Sequence, residues 1–253
     1  MGSAILGGVI SSGIAEPEDI TVSDKNAELL DKINAQYSIE VVQRNADCLE
    51  CDVLFLCVKP NALYSVIDEI REKINPDTVI VSIVAGQSME KISNTFERPI
   101  KLVRVMPNTP ALVGEGMAAV CINENVSDKE ADSIISIFNS LGKAEVVSEQ
   151  LMDTVTGVSG SSPAYVFMFI EAMADAAVKG GMTREMAYTF AAQSVLGSAK
   201  MVLETKKHPG ELKDMVCSPG GTTIDAVSVL ESEGMRSAVI KAIDACINKS
   251  KSM

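Results

Sequence analysis

At 253 residues, with 47% apolar and 22% charged side chains, the chain has room for two domains and the makeup of a folded globular protein. A formal charge of −12 argues against a nucleic-acid partner, because such binding is dominated by Lys and Arg on phosphates. No apolar run approaches bilayer length, and the opening Met1-Gly2-Ser3-Ala4-Ile5-Leu6 has neither the basic leader nor the cleavage pattern of a secretory signal, so a cytoplasmic protein without a membrane partner is expected.

The first half alternates helical and strand patterns. A helix is expected over 3–12, with Ala4, Ile5, Leu6 and Val9 as its apolar positions, then a short strand over 20–23 and a helix over 27–36. The runs 52–58, 78–85 and 101–106 are short, rich in Val, Ile and Leu, and bounded by Pro or Gly, as parallel strands covered on both faces should be. Helical stretches near 61–73 and 88–96 separate them. Two further strands, 117–122 and 144–147, flank a helix from about 128 to 141. This alternation implies a doubly wound, mostly parallel α/β sheet. From Glu149 only helical patterns follow, which divides the chain into 1–148 and 149–253. A helix entered at Pro163, after Ser161 and Ser162 as candidate caps, runs to about Lys179, and another covers 184–204. Both are too apolar to cover a small domain alone, so burial against a second subunit is expected.

Six cysteines stand at 48, 51, 57, 121, 217 and 246. One Cys-x-x-Cys without a second pair at zinc spacing leaves reduced thiols as the reading, and no metal site. His208, the only histidine, precedes a turn-like Pro209-Gly210; no Gly-x-Ser-x-Gly elbow accompanies it.

Ligands of doubly wound sheets bind at the carboxyl ends of strands. Here those ends are Val58-Lys59-Pro60, Val84-Ala85-Gly86 and Met106-Pro107-Asn108-Thr109-Pro110. Small residues and prolines let backbone approach a flat cofactor, and Lys59 or Asn108 could bond its amide or sugar, although strands in any α/β protein end in this way. Asp24 follows a strand 22 positions after Gly2, near the spacing at which an acidic residue reads a ribose 2′-hydroxyl. Lys25 beside it suits a 2′-phosphate, and a solvated loop pair is the plain alternative. Ser218-Pro219-Gly220-Gly221-Thr222-Thr223 precedes an amphipathic helix; unpaired N–H groups at such a start bind small anions, and a Thr-capped helix after a Pro-Gly turn is the structural alternative.

Together with Phe55-Leu56-Cys57-Val58-Lys59-Pro60, Arg104-Val105-Met106-Pro107-Asn108-Thr109-Pro110, Gly157-Val158-Ser159-Gly160-Ser161-Ser162-Pro163-Ala164-Tyr165 and the long block from His208 to Thr223, these segments resemble the pyrroline-5-carboxylate reductase family over essentially the whole chain. The resemblance implies a Rossmann-type dinucleotide-binding domain followed by an all-α domain that carries substrate and dimerises, often building larger rings. It implies NADP(H), or NAD(H), as cofactor and reduction of 1-pyrroline-5-carboxylate to L-proline, the last step of proline synthesis. Carried over, Val58, Lys59, Pro60, Ala85 and Gly86 line the cofactor, Asn108 sits near the nicotinamide, and Met1-Gly2 end the phosphate-binding turn. Arg44 falls where the family often carries an asparagine near the adenosine, with Asn45 adjacent. Ser218 and the N–H groups of Gly221, Thr222 and Thr223 hold the substrate carboxylate, and the Thr223 hydroxyl meets the ring nitrogen as orienting and relay group.

The family opens with a strand and a Gly-x-Gly-x-x-Gly turn, of which this chain has only the end. A truncated or misplaced start of about ten residues, the length of such a strand and turn, is the expectation, with a gap in the sheet where the first strand is missing. Two other readings compete. A β-hydroxyacid dehydrogenase would place a catalytic lysine on the first helix of the helical domain, and 163–178 has none. A dinucleotide-binding protein impaired in catalysis would bind cofactor without turnover.

Overall fold

The computed structural model describes residues 1–252. Two compact units are present, one of residues 1–161 with 246–252 and one of residues 162–245.

The first unit is α/β. In chain order it comprises α1 (Gly2–Ser11), β1 (Thr21–Ser23), α2 (Ala27–Tyr37), β2 (Glu40–Val42), β3 (Val53–Leu56), α3 (Leu63–Ile70), β4 (Val79–Ser82), α4 (Met89–Phe96), β5 (Lys101–Met106), β6 (Gly116–Ile122), α5 (Asp128–Asn139), β7 (Gly142–Val146) and the one-turn α6 (Met152–Val155). The strands form two ladders, β1-β2 and β3-β4-β5-β6-β7, and among the described residues none pairs with both. Every pairing is parallel except β5 with β6.

Period-two alternation sorts the strand side chains onto two faces. Leu56, Ile80, Leu102 and Met106 pack with Leu63, Val66, Ile67 and Ile70 of α3 and Ile92 and Phe96 of α4. Their neighbours Val79, Val81, Val103, Val105 and Val120 face Ala4, Ile5 and Val9 of α1 and Ile134, Ile137 and Phe138 of α5. Both faces are covered, and for that reason β4 and β5 read as nearly continuous apolar runs, broken inside β5 only by Arg104. A smaller cluster of Leu6, Ile33 and Ile39 joins α1 to α2.

After α6 the chain makes a π-helical turn, Thr156–Gly160, and the expected helix then starts at Ser162 with Pro163 in its first turn and runs to Lys179. The second unit holds α7 (Ser162–Lys179), α8 (Arg184–Thr205), α9 (Pro209–Val216), α10 (Thr222–Ser232) and α11 (Met235–Lys251) as far as residue 245. The last turns of α11 belong to the first unit, where Ser250 Oγ donates to Asp153 Oδ1 at 2.6 Å and Cys246 Sγ lies 3.2 Å from Ser161 Oγ. His208 stands at a helix start, not in a free turn: its Nδ1 accepts the Gly210 N–H at 3.1 Å, capping α9. No helix among the described residues is long and apolar enough to cross a membrane.

Candidate active site

In the first unit, strand ends and one helix start gather most of the residues expected to bind cofactor. α1 begins without a side-chain cap and without an acidic residue in its first turn. The N–H groups of Gly2 and Ser3 therefore meet no protein acceptor among the described residues, while Ala4 N–H turns back to Met1 O at 2.9 Å. Such a start presents free donors and the positive end of the helix dipole. Gly2 sits against the end of β3: a Cβ there would lie 3.2 Å from Cys57 Cβ. Val58 and Ala85 pack on the same core cluster, so the ends of β3 and β4 share a surface. Lys59 is exposed and precedes the short 3-10 turn Pro60–Ala62. Gly86 has φ +71°, a left-handed conformation that a side chain would strain, and lets the chain leave β4.

Asp24 is half-buried just beyond β1, where its Oδ1 accepts the Asn26 N–H at 2.8 Å; Lys25 is exposed. Asn45 bridges two elements, accepting from Ser23 Oγ at 3.0 Å and donating to Glu69 on α3. The neighbouring Arg44 is exposed and pairs with Asp47 at 2.6 Å. Asn108 differs from expectation. It is 8% exposed, its Oδ1 accepts Met117 N–H at 2.8 Å, and its Nδ2 donates to Ser159 O at 3.0 Å. Both ends of the amide thus have protein partners, so the side chain fastens the end of β5 to β6 and to the π turn.

Residues without a sequence motif complete this region. Gln87 is buried and accepts from the Tyr64 hydroxyl of α3. Glu149 Oε1 takes the Met89 N–H at 2.6 Å and Arg104 Nη1 at 2.8 Å. The one available sequence signal was a lone arginine inside the apolar run 101–106.

In the second unit the loop before α10 brings Ser218, Gly221, Thr222 and Thr223 together. Gly220 turns the chain with φ +67°, and Gly221 is the N-cap of α10. Gly221 leaves room for Ser218, since a Cβ at 221 would stand 2.7 Å from Ser218 Oγ and force that hydroxyl to move. The Gly221 N–H is committed to Ser218 O at 3.1 Å, which corrects its expected part as a donor to substrate. The Thr-capped alternative does not hold either, since no side chain caps α10. Among the described residues, the N–H groups of Thr222 and Thr223 and the hydroxyls of Ser218, Thr222 and Thr223 meet no protein partner. Ser218 and Thr222 are exposed and Thr223 is half-buried.

Elsewhere, no group of three or more His, Cys, Asp or Glu is gathered as a metal site among the described residues. All six cysteines are free, and burial pushes Cys51 up to about 11, which keeps it a thiol at neutral pH.

Comparison with known proteins agrees with this arrangement. The family model for pyrroline-5-carboxylate reductase dimerisation matches residues 149–253, and that for coenzyme F420-dependent NADP oxidoreductase matches residues 1–86. The pyrroline-5-carboxylate reductase of Escherichia coli K12 is 49% identical over 100% of this chain and 94% of its own length. A solved pyrroline-5-carboxylate reductase from Coxiella burnetii superposes with a TM-score of 0.91 at 33% identity, covering 99% of this chain and 94% of that one. The Plasmodium falciparum pyrroline carboxylate reductase, solved with NADP bound, gives 0.90 at 33% identity over 100% and 94%. The chain belongs to the pyrroline-5-carboxylate reductase family, NAD(P)-dependent oxidoreductases that reduce the C=N bond of pyrroline-5-carboxylate.

Proposed function

We propose that residues 1–148 bind NADP(H), with NAD(H) as a second cofactor, and that residues 149–253 carry 1-pyrroline-5-carboxylate and dimerise. The observation that carries this reading is the donor set before α10: two N–H groups and three hydroxyls without protein partners, at the positive end of an uncapped helix. A carboxylate needs such donors. On this reading Ser218 Oγ and the N–H groups of Thr222 and Thr223 hold the carboxylate, and Gly221 allows the close approach. The Thr223 hydroxyl meets the ring nitrogen.

The dinucleotide fits the first unit by the same physics. The free N–H groups of Gly2 and Ser3 suit its pyrophosphate, with Met1 as N-cap of that helix start. Asp24 and Asn45 suit the adenosine ribose, and Val58, Lys59, Pro60, Ala85 and Gly86 line the remainder. Asn108 holds the backbone of the strand end near the nicotinamide in place. When bound, the cofactor supplies the hydride. The protein's part is orientation and electrostatics, since a protonated imine is already electrophilic. Thr223 orients the ring and relays a proton at its nitrogen. The single histidine has no part in this, its Nδ1 being engaged in capping α9.

The assembly proposed is a homodimer through the helical domain, which repeats into a larger ring, and the compartment is the cytoplasm, consistent with six free thiols. The test is Thr223→Ala. Loss of a hydrogen bond made in the transition state should lower kcat by about tenfold or more. NADPH affinity, measured by fluorescence titration, should not change. A variant with wild-type kinetics would remove Thr223 from the mechanism. NADPH binding by the unaltered chain with no turnover on pyrroline-5-carboxylate would favour an impaired dinucleotide-binding protein.

A further inference from the structure

We infer that Glu149 is a positioning residue for the cofactor, acting through the backbone that follows Gly86. This rests on the reading that Ala85 and Gly86 line the cofactor. Ile83, directly after β4, still donates to Leu56 O of β3 at 3.3 Å, and beyond it two side chains from outside hold the path from Gly86 into α4. Tyr64 of α3 donates to the buried Gln87 amide, and Glu149, beyond β7, receives the N–H of Met89, the first residue of α4. The same Oε1 also receives Arg104 Nη1 from the middle of β5.

Three separate segments are therefore fastened through one carboxylate oxygen. Arg104 is 6% exposed and projects on the face of β5 that also carries Leu102 and Met106. A buried guanidinium needs its carboxylate, so Arg104 holds Glu149 in place and Glu149 holds the start of α4. A carboxylate on an N-terminal helix N–H makes a charge-assisted bond favoured by the helix dipole. The point it fixes lies only three residues after Gly86. Freeing it lets the left-handed turn at Gly86 drift, and a misplacement of about 1 Å is felt by a cofactor that must be held in register for hydride transfer.

Two variants separate positioning from stability. Glu149→Gln keeps an acceptor for the Met89 N–H but removes the charge that compensates Arg104. Its Tm should fall by roughly 10 °C, while KM for NADPH stays near wild type. The double variant Arg104→Met with Glu149→Met replaces the ion pair by apolar groups of similar volume, which restores much of the Tm. It leaves the Met89 N–H without its acceptor. Its KM for NADPH, at saturating pyrroline-5-carboxylate, should rise by roughly fivefold, the size of one lost hydrogen bond, with KM for pyrroline-5-carboxylate unmoved.

A purely structural role cannot give this crossing, in which the less stable variant binds cofactor better. If KM for NADPH follows Tm in both variants, the inference is overturned. Ala85→Val checks the reading beneath it. If that variant has a wild-type KM for NADPH, Ala85 does not line the cofactor and the inference fails with it. A raised KM in Ala85→Val with an unchanged KM in the double variant overturns only the part given to Glu149.

Discussion

The carboxylate of Glu130 is set by its donors. Glu130 is the N3 residue of a capping box at the start of α5: Ser127 N–H and Oγ both donate to its Oε2, at 2.8 and 2.7 Å, and Ser127 Oγ accepts the Glu130 N–H in return. Its Oε1 accepts from Lys101 Nζ at 2.7 Å. The Lys101 bond first, then those from Ser127, hold the carboxyl down at about 2, well below its ordinary 4.5. A group whose folded pKa is depressed stabilises the fold above its unfolded pKa and stops doing so as pH falls through the folded value. Stability should therefore decline as pH drops from 4.5 toward 2. Glu130→Gln should be less stable than wild type at neutral pH and converge with it near the lower limit. Urea unfolding of both proteins across that window checks this, and a gap that is constant with pH would rule out the linkage.

Close packing at the level of elements is most demanding around α1, where Ala4, Ile5, Leu6, Gly8 and Val9 are all buried. A Cβ on Gly8 would lie 2.1 Å from Leu141 Cδ2 and 2.9 Å from its Cγ, and Leu141 is itself in the core. Gly8→Ala gains helix propensity but overpacks this contact, and the second effect is larger, at about 1–3 kcal/mol against about 1. Tm should fall by a few degrees in differential scanning calorimetry; a rise would mean that Leu141 can withdraw. Elements of this kind were legible in the sequence wherever burial is two-sided. β3, β4 and β5 came from short, mostly apolar runs, and α1 from the spacing of its buried face. β2 was missed because it has three residues and none is buried, so no alternation stands out. α11 was not anticipated, since charges are scattered through it. α9 was taken for a turn because Pro209-Gly210 resembles one, although proline also suits a first helical turn. The site divides in the same way. Ser218, Gly221, Thr222 and Thr223, which the proposal above gives to substrate, could be singled out because they stand side by side in the sequence before a helix. The bonds of Asn108 to Ser159 and of Glu149 to Met89 join residues 51 and 60 positions apart, which no local pattern encodes.

For the molecule as a whole, the distribution of core decides what must assemble. All three buried apolar clusters lie in the first unit. Within the second unit Ala174, Ala187 and Ala191 are the only buried hydrophobic residues. Phe167, Met168 and Phe190 are 63%, 70% and 60% exposed, and Leu196, Leu203, Met215 and Ile240 are exposed as well. A patch of this extent on α7, α8 and their neighbours marks an interaction surface, in agreement with the dimerisation match over 149–253. In the two-fold dimer proposed above, each substitution acts at two symmetry-related places. Burying a phenylalanine contributes about 1.5–3 kcal/mol, so Phe167→Glu with Phe190→Glu should remove on the order of 10 kcal/mol per dimer and add four unpaired charges. Light scattering after gel filtration should then give the monomer mass where the unaltered protein gives a multiple of it. The Tm of the unaltered protein should rise with concentration, and that of the variant should not, because only an assembling fold is stabilised by mass action. An unchanged mass in the double variant would move the interface off α7 and α8 and leave their exposed aromatic residues without an explanation.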